Sequence, residues 1–120
     1  MELMQNEPPT IQLQFTDKFK RNLRALAKKY RSIRKDIQPI IAQLEAGELP
    51  GDRIAGIDYA IQKVRVRNSD IQKGKSGGYR VIYYIKTNTN IILITIYSKS
   101  EREDISTKEI KQILTEFEQR

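Results

Sequence analysis

The stretch that decides the fold covers residues 63–99 and reads KVRVRNSDIQKGKSGGYRVIYYIKTNTNIILITIYSK. In KVRVR, two valines alternate with Lys63, Arg65 and Arg67, which is the two-residue period of a strand with one buried face. The segments GGYRVIYYI and IILITIY are rich in the β-branched and aromatic residues that suit a packed sheet. One sheet face should therefore carry cations, whose mutual repulsion costs stability unless an anion binds there. We infer an anion-binding sheet face, with a polynucleotide backbone as the expected ligand.

The length and composition of the chain are those of a small basic protein. With 120 residues it fits one domain, predicted over residues 1–120 with residues 1–9 as a loose lead-in. Its net charge of +7 and pI near 9.7 favour an acidic partner such as nucleic acid. No apolar run approaches the length of a membrane span, and the N-terminus lacks a signal-peptide pattern. We therefore expect a cytoplasmic protein with no membrane partner.

Cysteine and histidine are both missing from the sequence. Their absence excludes thiolate chemistry and removes the commonest metal ligand and the usual acid–base group at neutral pH. Any catalysis by this chain is therefore expected to use other side chains, and no cofactor is expected.

The positive charge is concentrated in two parts of the chain. Residues 17–37 hold nine lysines and arginines against two aspartates, and residues 63–80 hold six against one. Two basic surfaces are therefore predicted. The cations of the first part are, by default, the solvated face of an amphipathic helix.

The first part of the chain predicts a short strand followed by two helices. Apolar residues alternate with glutamines over residues 11–15, and Thr16 or Asp17 can cap a helix with apolar residues at helical spacing. A second helix repeats this spacing but contains Pro39. Proline removes one helical hydrogen bond, so this helix is expected either to kink at Pro39 or to begin its regular part near Asp36.

The remainder predicts a loop, three strands and a final helix. Gly47 is expected to end the second helix, and GELPGDRIAG at residues 47–56 to form a loop. Ser106 followed by Glu109 matches a capping box at the start of the final helix. Strands are predicted at residues 61–67, 79–86 and 91–97, with TNTN at 87–90 as the turn of a hairpin.

The order β-α-α-β-β-β-α predicts an α+β fold. In this fold a small antiparallel sheet is backed by an N-terminal helical hairpin and followed by a C-terminal helix. The helical hairpin is expected to pack on one face of the sheet, which leaves the other face free to carry the cations.

The motifs KVRVRN, KGKSGGYRVIYYI and IYSKSEREDI, in this order, resemble the RelE/ParE toxin superfamily and more narrowly the RelE/HigB-like toxins of bacterial type II toxin–antitoxin systems. The resemblance extends from Ile11 to about Glu118. It implies a small antiparallel sheet backed by helices, in agreement with the pattern of the residues.

The resemblance also implies an activity and partners. Such toxins are endoribonucleases that cut messenger RNA in the ribosomal A site without a metal, by attack of the 2′-hydroxyl on the adjacent phosphodiester. This mechanism fits a chain that must use lysine, arginine and tyrosine. The implied partners are messenger RNA, the ribosome with its ribosomal RNA, and a cognate antitoxin protein. Operator DNA is expected as a partner of the toxin–antitoxin complex alone.

The resemblance also assigns residues to the site. Arg80, in SGGYR, matches the arginine that the family places against the scissile phosphate. The predicted catalytic residues are Lys73, Lys75, Arg80, Tyr97 and Lys99, and the predicted RNA-binding residues are Lys63, Arg65, Arg67 and Ser98. The chain departs from the family at two points, since it has no histidine and since Ser100 stands where some members have arginine.

Several chemical roles stay open at this point. Lys73 or Lys75 can act as general base, because neighbouring cations lower the pKa of a lysine. Tyr97 or a protonated lysine can donate a proton to the leaving 5′-oxygen, or Tyr97 can stack on a base. Two other functions also stay open: a non-enzymatic toxin of the ParE branch that binds DNA gyrase, and a catalytically inactive RNA-binding relative.

Overall fold

A computed structural model of the chain describes residues 10–71 and 77–119. Within these ranges the chain forms one five-stranded sheet and three helices. None of the described helices is long and apolar enough to cross a membrane. In chain order the elements are β1 (Gln12–Phe15), α1 (Asp17–Lys29), α2 (Ile33–Glu45), β2 (Asp52–Arg53), β3 (Ile61–Val66), β4 (Tyr79–Thr87), β5 (Asn90–Ser98) and α3 (Thr107–Glu118).

The strands lie in the order β1-β5-β4-β3-β2. The predicted hairpin is confirmed, because β4 and β5 pair antiparallel up to Thr87 and Asn90. The predicted α+β fold, with two N-terminal helices and a C-terminal helix, is also confirmed. The sheet departs from the prediction at one edge, since β1 runs parallel to β5.

Both faces of the sheet are covered in part by helices. The hairpin face, defined by Val64, Val81 and Leu93, packs under α1 and α2. The α3 face, defined by Ile61, Ile82 and Ile92, packs under an apolar stripe of α3 that includes Ile110, Ile113 and Leu114. The expectation that the second face would be free was therefore wrong where α3 lies. Amphipathic α3 buries its own apolar stripe there, and the cations are left beside it.

The ends of the helices follow their capping residues. The Ser106 hydroxyl accepts a hydrogen bond from the Glu109 backbone N–H at 3.1 Å, which confirms the predicted N-cap. Gly47, with φ of 87°, follows the end of α2 as predicted. Helix α2 runs through Pro39 and begins at Ile33, so the alternative of a regular helix that starts near Asp36 was wrong.

A two-residue strand, β2, lies inside the stretch that was predicted to be a loop. It pairs antiparallel with β3, where Arg53 also donates from Nε to the Gln62 side-chain oxygen at 3.0 Å. Gly51 makes this close approach possible. Its φ is +98°, and a Cβ at this position would lie 2.4 Å from the Lys63 carbonyl oxygen.

Strand β5 contains a bulge at Ile94 that changes which residues face each side of the sheet. Leu93 pairs with Tyr83, but the next pair joins Thr95 to Ile82, so Ile94 is an extra residue. Before the bulge Leu93 belongs to the core of the hairpin face, whereas after it Tyr97 belongs to the α3 face. Strict alternation would have placed both odd-numbered residues on one face.

Helix α1 holds this bulge through two side chains. The Thr16 hydroxyl donates to the Ile94 carbonyl at 2.6 Å and accepts from the Phe19 N–H at 3.0 Å, so it caps α1 as well. The Asn22 amide donates to the Ile96 carbonyl at 3.1 Å. Carbonyl groups at the bulge and just after it therefore find partners on the helix.

We expect the dual role of Thr16 to be measurable against a residue that acts only as a cap. Thr16→Ala removes the cap of α1 and the bond to the bulge, whereas Ser106→Ala removes only the cap of α3. The free energy of unfolding, measured by urea denaturation, should fall by about 1 kcal/mol for Ser106→Ala and by about 2 kcal/mol for Thr16→Ala.

The hydroxyl itself is tested by Thr16→Ser, which should retain most of the stability that Thr16→Ala loses. A loss in Thr16→Ala no larger than the loss in Ser106→Ala would contradict a stabilising bond between Thr16 and the bulge.

Candidate active site

Three side chains on adjacent strands define the centre of the candidate site. The strand pairing places Arg65 opposite Arg80, and Arg80 opposite Tyr97. Residues paired directly across strands point to the same face of a sheet, which here is the α3 face. Arg65 is exposed, Arg80 is half-buried and Tyr97 is buried. Sequence analysis selected all three residues, and the structure brings them together.

Two further predicted cations lie near Arg65, one within β3 and one just after it. Lys63 precedes it by two residues and shares its face, with its ammonium Nζ 3.2 Å from Asp104 Oδ1. Arg67 follows the end of β3 and is exposed. Within residues 10–71 and 77–119, Arg65, Arg67 and Arg80 form no salt bridge. Their charge is therefore available to an anion.

Asp104 is a residue of the site that sequence analysis did not identify. Its Oδ1 accepts from Lys63 Nζ, from the Tyr97 hydroxyl at 3.4 Å and from the Ile105 backbone N–H at 2.8 Å. The only signal in the sequence is its place in the YSKSEREDI motif, because spacing alone does not bring residue 104 back to β3.

Arg102 is a second residue that sequence analysis did not assign to the site. Its guanidinium carbon lies 5.7 Å from the centre of the Tyr97 ring, within the range of a cation–π contact. The same guanidinium forms a two-point salt bridge with Glu109, in the first turn of α3. The Glu109 carboxylate, expected to complete a capping box, is instead paired with Arg102.

The predicted residues at the end of β5 lie apart from the row of Arg65, Arg80 and Tyr97. Ser98 pairs with Tyr79, is 1% exposed, and has its hydroxyl 3.0 Å from that of Ser100. The Lys99 ammonium is directed to the Glu103 backbone carbonyl at 3.1 Å and to its carboxylate at 3.7 Å. Both side chains are therefore already occupied.

The loop between β3 and β4 is anchored at both of its described ends, while Lys73 and Lys75 lie outside the described residues. At its start, Asp36 accepts from the Ser69 N–H at 2.9 Å, and Asp70 accepts from the Ser32 N–H at 2.8 Å. The loop is thereby bonded to the start of α2 by two reciprocal contacts.

Gly78 anchors the other end of this loop beside Arg80. Its φ is +81°, and a Cβ there would lie 2.6 Å from the Val66 carbonyl oxygen. Its own carbonyl accepts from the Lys99 N–H at 3.0 Å. Only glycine combines this backbone conformation with such a close approach to a neighbouring strand.

The site shifts the pKa values of Tyr97 and Asp104 in opposite directions. Burial, followed by the negative charge of Asp104, raises the pKa of Tyr97 to about 12, although Arg80 and Arg102 act the other way. The hydrogen bond from the Ile105 N–H, together with Lys63, lowers the pKa of Asp104 below its usual range. At neutral pH the pair is thus a neutral phenol beside a carboxylate.

Residues 10–71 and 77–119 contain no group of three or more acidic, histidine or cysteine side chains that could hold a metal ion. The polar atoms that converge on the site are the guanidinium, ammonium, phenol and carboxylate groups already described.

A family model matches the amino-acid sequence over most of the chain. The model for the RelE toxin of the RelE/RelB toxin–antitoxin system matches residues 16–116, which include every described residue of the site. The chain belongs to the RelE toxin family. It is therefore a toxin of a toxin–antitoxin system, and its family implies a cognate antitoxin as partner. The resemblance stated from the motifs is confirmed.

The contact between Asp104 and Tyr97 in this RelE toxin predicts that a substitution of Asp104 changes the pKa of the Tyr97 phenol. Asp104→Asn removes the charge that helps to raise the pKa of Tyr97, but burial remains. We expect the pKa to fall below about 12 and to stay above the ordinary value near 10. Phenolate absorbance is measured against pH in Asp104→Asn and in the double variant Asp104→Asn/Tyr97→Phe. Because the two differ only at Tyr97, their difference gives the titration of that residue.

The matched control is Glu103→Gln, which removes an exposed carboxylate that contacts Lys99. It should leave the Tyr97 titration unchanged. A Tyr97 pKa that is the same in Asp104→Asn as in the wild-type toxin would contradict the contact.

The raised pKa of Tyr97 also predicts a dependence of stability on pH. Since the folded pKa lies above the unfolded value near 10, Tyr97 contributes stability that is complete below about pH 10 and is lost as pH rises toward 12. Tyr97→Phe should therefore weaken the fall in urea midpoint across this window. An equally steep fall in Tyr97→Phe and wild type would show that Tyr97 is not responsible.

Proposed function

We propose that this RelE toxin is a metal-independent endoribonuclease that cuts messenger RNA in the ribosomal A site and so inhibits translation. The observation that carries the proposal is the row of Arg65, Arg80 and Tyr97 on one face of the sheet. Residues paired across strands have Cα atoms about 5 Å apart, so the two guanidinium groups can reach one phosphate. Arginine also matches phosphate geometry with two parallel hydrogen bonds.

In the proposed reaction the 2′-hydroxyl attacks the adjacent phosphorus and the bond to the 5′-oxygen breaks. The products are a cyclic phosphate and a 5′-hydroxyl. Negative charge grows on the phosphate oxygens in the transition state, and Arg80 and Arg65 stabilise it because they keep their charge and are not neutralised by a salt bridge in the described part of the chain.

Tyr97 is proposed as the proton donor to the leaving 5′-oxygen. Its raised pKa, about 12, keeps the hydroxyl protonated at neutral pH. The alternative role, stacking on a base of the message, has less support because the ring is only 6% exposed and lies against Arg102. Lys73 and Lys75, in the loop before Arg80, remain the predicted candidates for general base.

The remaining cations are proposed to bind RNA outside the reacting phosphate. Lys63 and Arg67 continue the basic face along β3 on both sides of Arg65. Lys99, predicted as catalytic, has less support because its ammonium is directed to Glu103. Ser98 has the weakest support among the predicted RNA-binding residues, because its hydroxyl is buried against Ser100. Exposed cations of α1 and α2 form a second basic surface that suits ribosomal RNA.

The cognate antitoxin is proposed to inhibit the toxin by covering this basic face with an acidic and apolar segment that folds on binding. Binding of operator DNA is proposed for the toxin–antitoxin complex only. Both proposals follow from the family and from the arginines that form no salt bridge within the described residues.

The nuclease is tested by primer extension on messenger RNA from a translating extract, with and without the purified toxin. Discrete new 5′ ends within codons are expected. Arg80→Ala should reduce their formation by about 100-fold or more, since it removes a charge that stabilises the transition state. Lys86→Ala is the matched control, because Lys86 lies near the far end of the same strand, about 20 Å along β4, and pairs with Glu118.

Two results would contradict the nuclease. Intact message in a normally translating extract would favour the gyrase-binding alternative, which a DNA supercoiling assay then tests directly. Equal losses in Arg80→Ala and Lys86→Ala would show a general charge effect without a dedicated phosphate site.

A further inference from the structure

The carboxylate of Asp104 stands among the cations of the candidate site. Three donors meet on its Oδ1 atom, from Lys63, Tyr97 and the Ile105 backbone. No described residue donates to the second oxygen, Oδ2, and the side chain is 62% exposed. Asp104 is thus held in place through one oxygen while the other is open to a ligand.

Charged side chains from several elements surround the pair formed by Asp104 and Tyr97. Lys63 approaches from β3, and Arg80 approaches from β4 beside the phenol. Arg102 lies against the phenol ring and is itself paired with Glu109 of α3. The hydrogen bond from the Ile105 backbone N–H, together with Lys63, lowers the pKa of Asp104 and keeps it ionised, whereas burial raises the pKa of Tyr97 and keeps it neutral. Two titratable groups in contact whose environments act in opposite directions are typical of an acid–base pair.

We propose that Asp104 and Tyr97 are the general base and the general acid of RNA cleavage. The proposal rests on the endoribonuclease function proposed above and specifies its proton transfers. It assigns the base to a carboxylate of the described site, in place of Lys73 or Lys75.

The reaction balances without a co-reactant. Asp104 takes the proton of the 2′-hydroxyl as the 2′-oxygen forms a bond to phosphorus. The bond from phosphorus to the 5′-oxygen breaks, and this oxygen takes the proton of the Tyr97 hydroxyl. The products leave a neutral Asp104 carboxyl beside a Tyr97 phenolate, and transfer of one proton between the two side chains restores both.

The assignment predicts a rate that does not change with pH over a wide range. The pKa of Asp104 is lowered below the ordinary carboxyl range and that of Tyr97 is raised to about 12, so neither group titrates near neutral pH. A lysine base would instead make the cleavage rate rise with pH across this window. A flat profile from about pH 5.5 to 9 in the wild-type toxin supports the carboxylate, and a steadily rising profile overturns it.

The decisive experiment compares two RNA substrates in single-turnover cleavage, each bound in programmed ribosomes. One is ordinary RNA, and the other carries sulfur in place of the scissile 5′-oxygen. A thiolate leaves without protonation because thiols are far more acidic than alcohols, so the sulfur substrate needs a base and no acid.

On ordinary RNA, Asp104→Asn and Tyr97→Phe should each slow cleavage by about 100- to 10,000-fold. On the sulfur substrate, Tyr97→Phe should recover to near the wild-type rate, whereas Asp104→Asn should stay slow. Recovery of Asp104→Asn would show that Asp104 acts only through Tyr97 and would overturn its assignment as base. Wild-type cleavage of ordinary RNA by Asp104→Asn would overturn it as well.

Controls separate this proposal from folding and from the function on which it rests. Glu103→Gln should cleave both substrates at the wild-type rate. Asp104→Asn should keep a urea midpoint close to that of the wild-type toxin at neutral pH, as expected for an exposed ion pair. If the wild-type toxin cleaves neither substrate, the nuclease itself is wrong, whereas cleavage by wild type and by Asp104→Asn alike rejects only the acid–base pair.

Discussion

The arrangement of this molecule depends on the bulge at Ile94 in β5. The extra residue moves Tyr97 from the hairpin face to the α3 face, where it meets Arg80. A bulge leaves backbone groups unpaired, and Thr16 and Asn22 of the adjoining helix supply the partners. Helix α1 therefore takes part in building the site, although it contributes no side chain to the row of Arg65, Arg80 and Tyr97.

The segment after β5 divides the cations into two groups. Three acidic residues each pair with one cation, which limits self-repulsion on a strongly basic face. The pairs are Asp104 with Lys63, Glu103 with Lys99, and Glu109 with Arg102. Within the described ranges Arg65, Arg67 and Arg80 have no such partner. The paired cations limit repulsion, while the arginines without a partner in the described ranges suit the phosphate proposed to bind there. Of these three acidic residues, Asp104 also takes part in the proposed chemistry.

Much of the fold could be predicted because most elements are long enough to show their period. Strands β3, β4 and β5 lie within a residue or two of the predicted bounds. Strand β2 was missed because two residues carry no period, and their pairing depends on the close approach at Gly51. The position of α3 was also missed, since an amphipathic stripe predicts that one side of a helix is buried but not which surface covers it.

The sequence by itself determined the charge, the lack of histidine and cysteine, the strand bearing Lys63 and Arg65, and the family. These follow from composition, period and motif. Only the tertiary structure decided that Tyr97 faces Arg80 and that Asp104 returns to Lys63 across the sheet. The physical reason is that a one-residue bulge reverses the alternation of a strand, and that a contact between residues 41 positions apart depends on packing rather than on local preference.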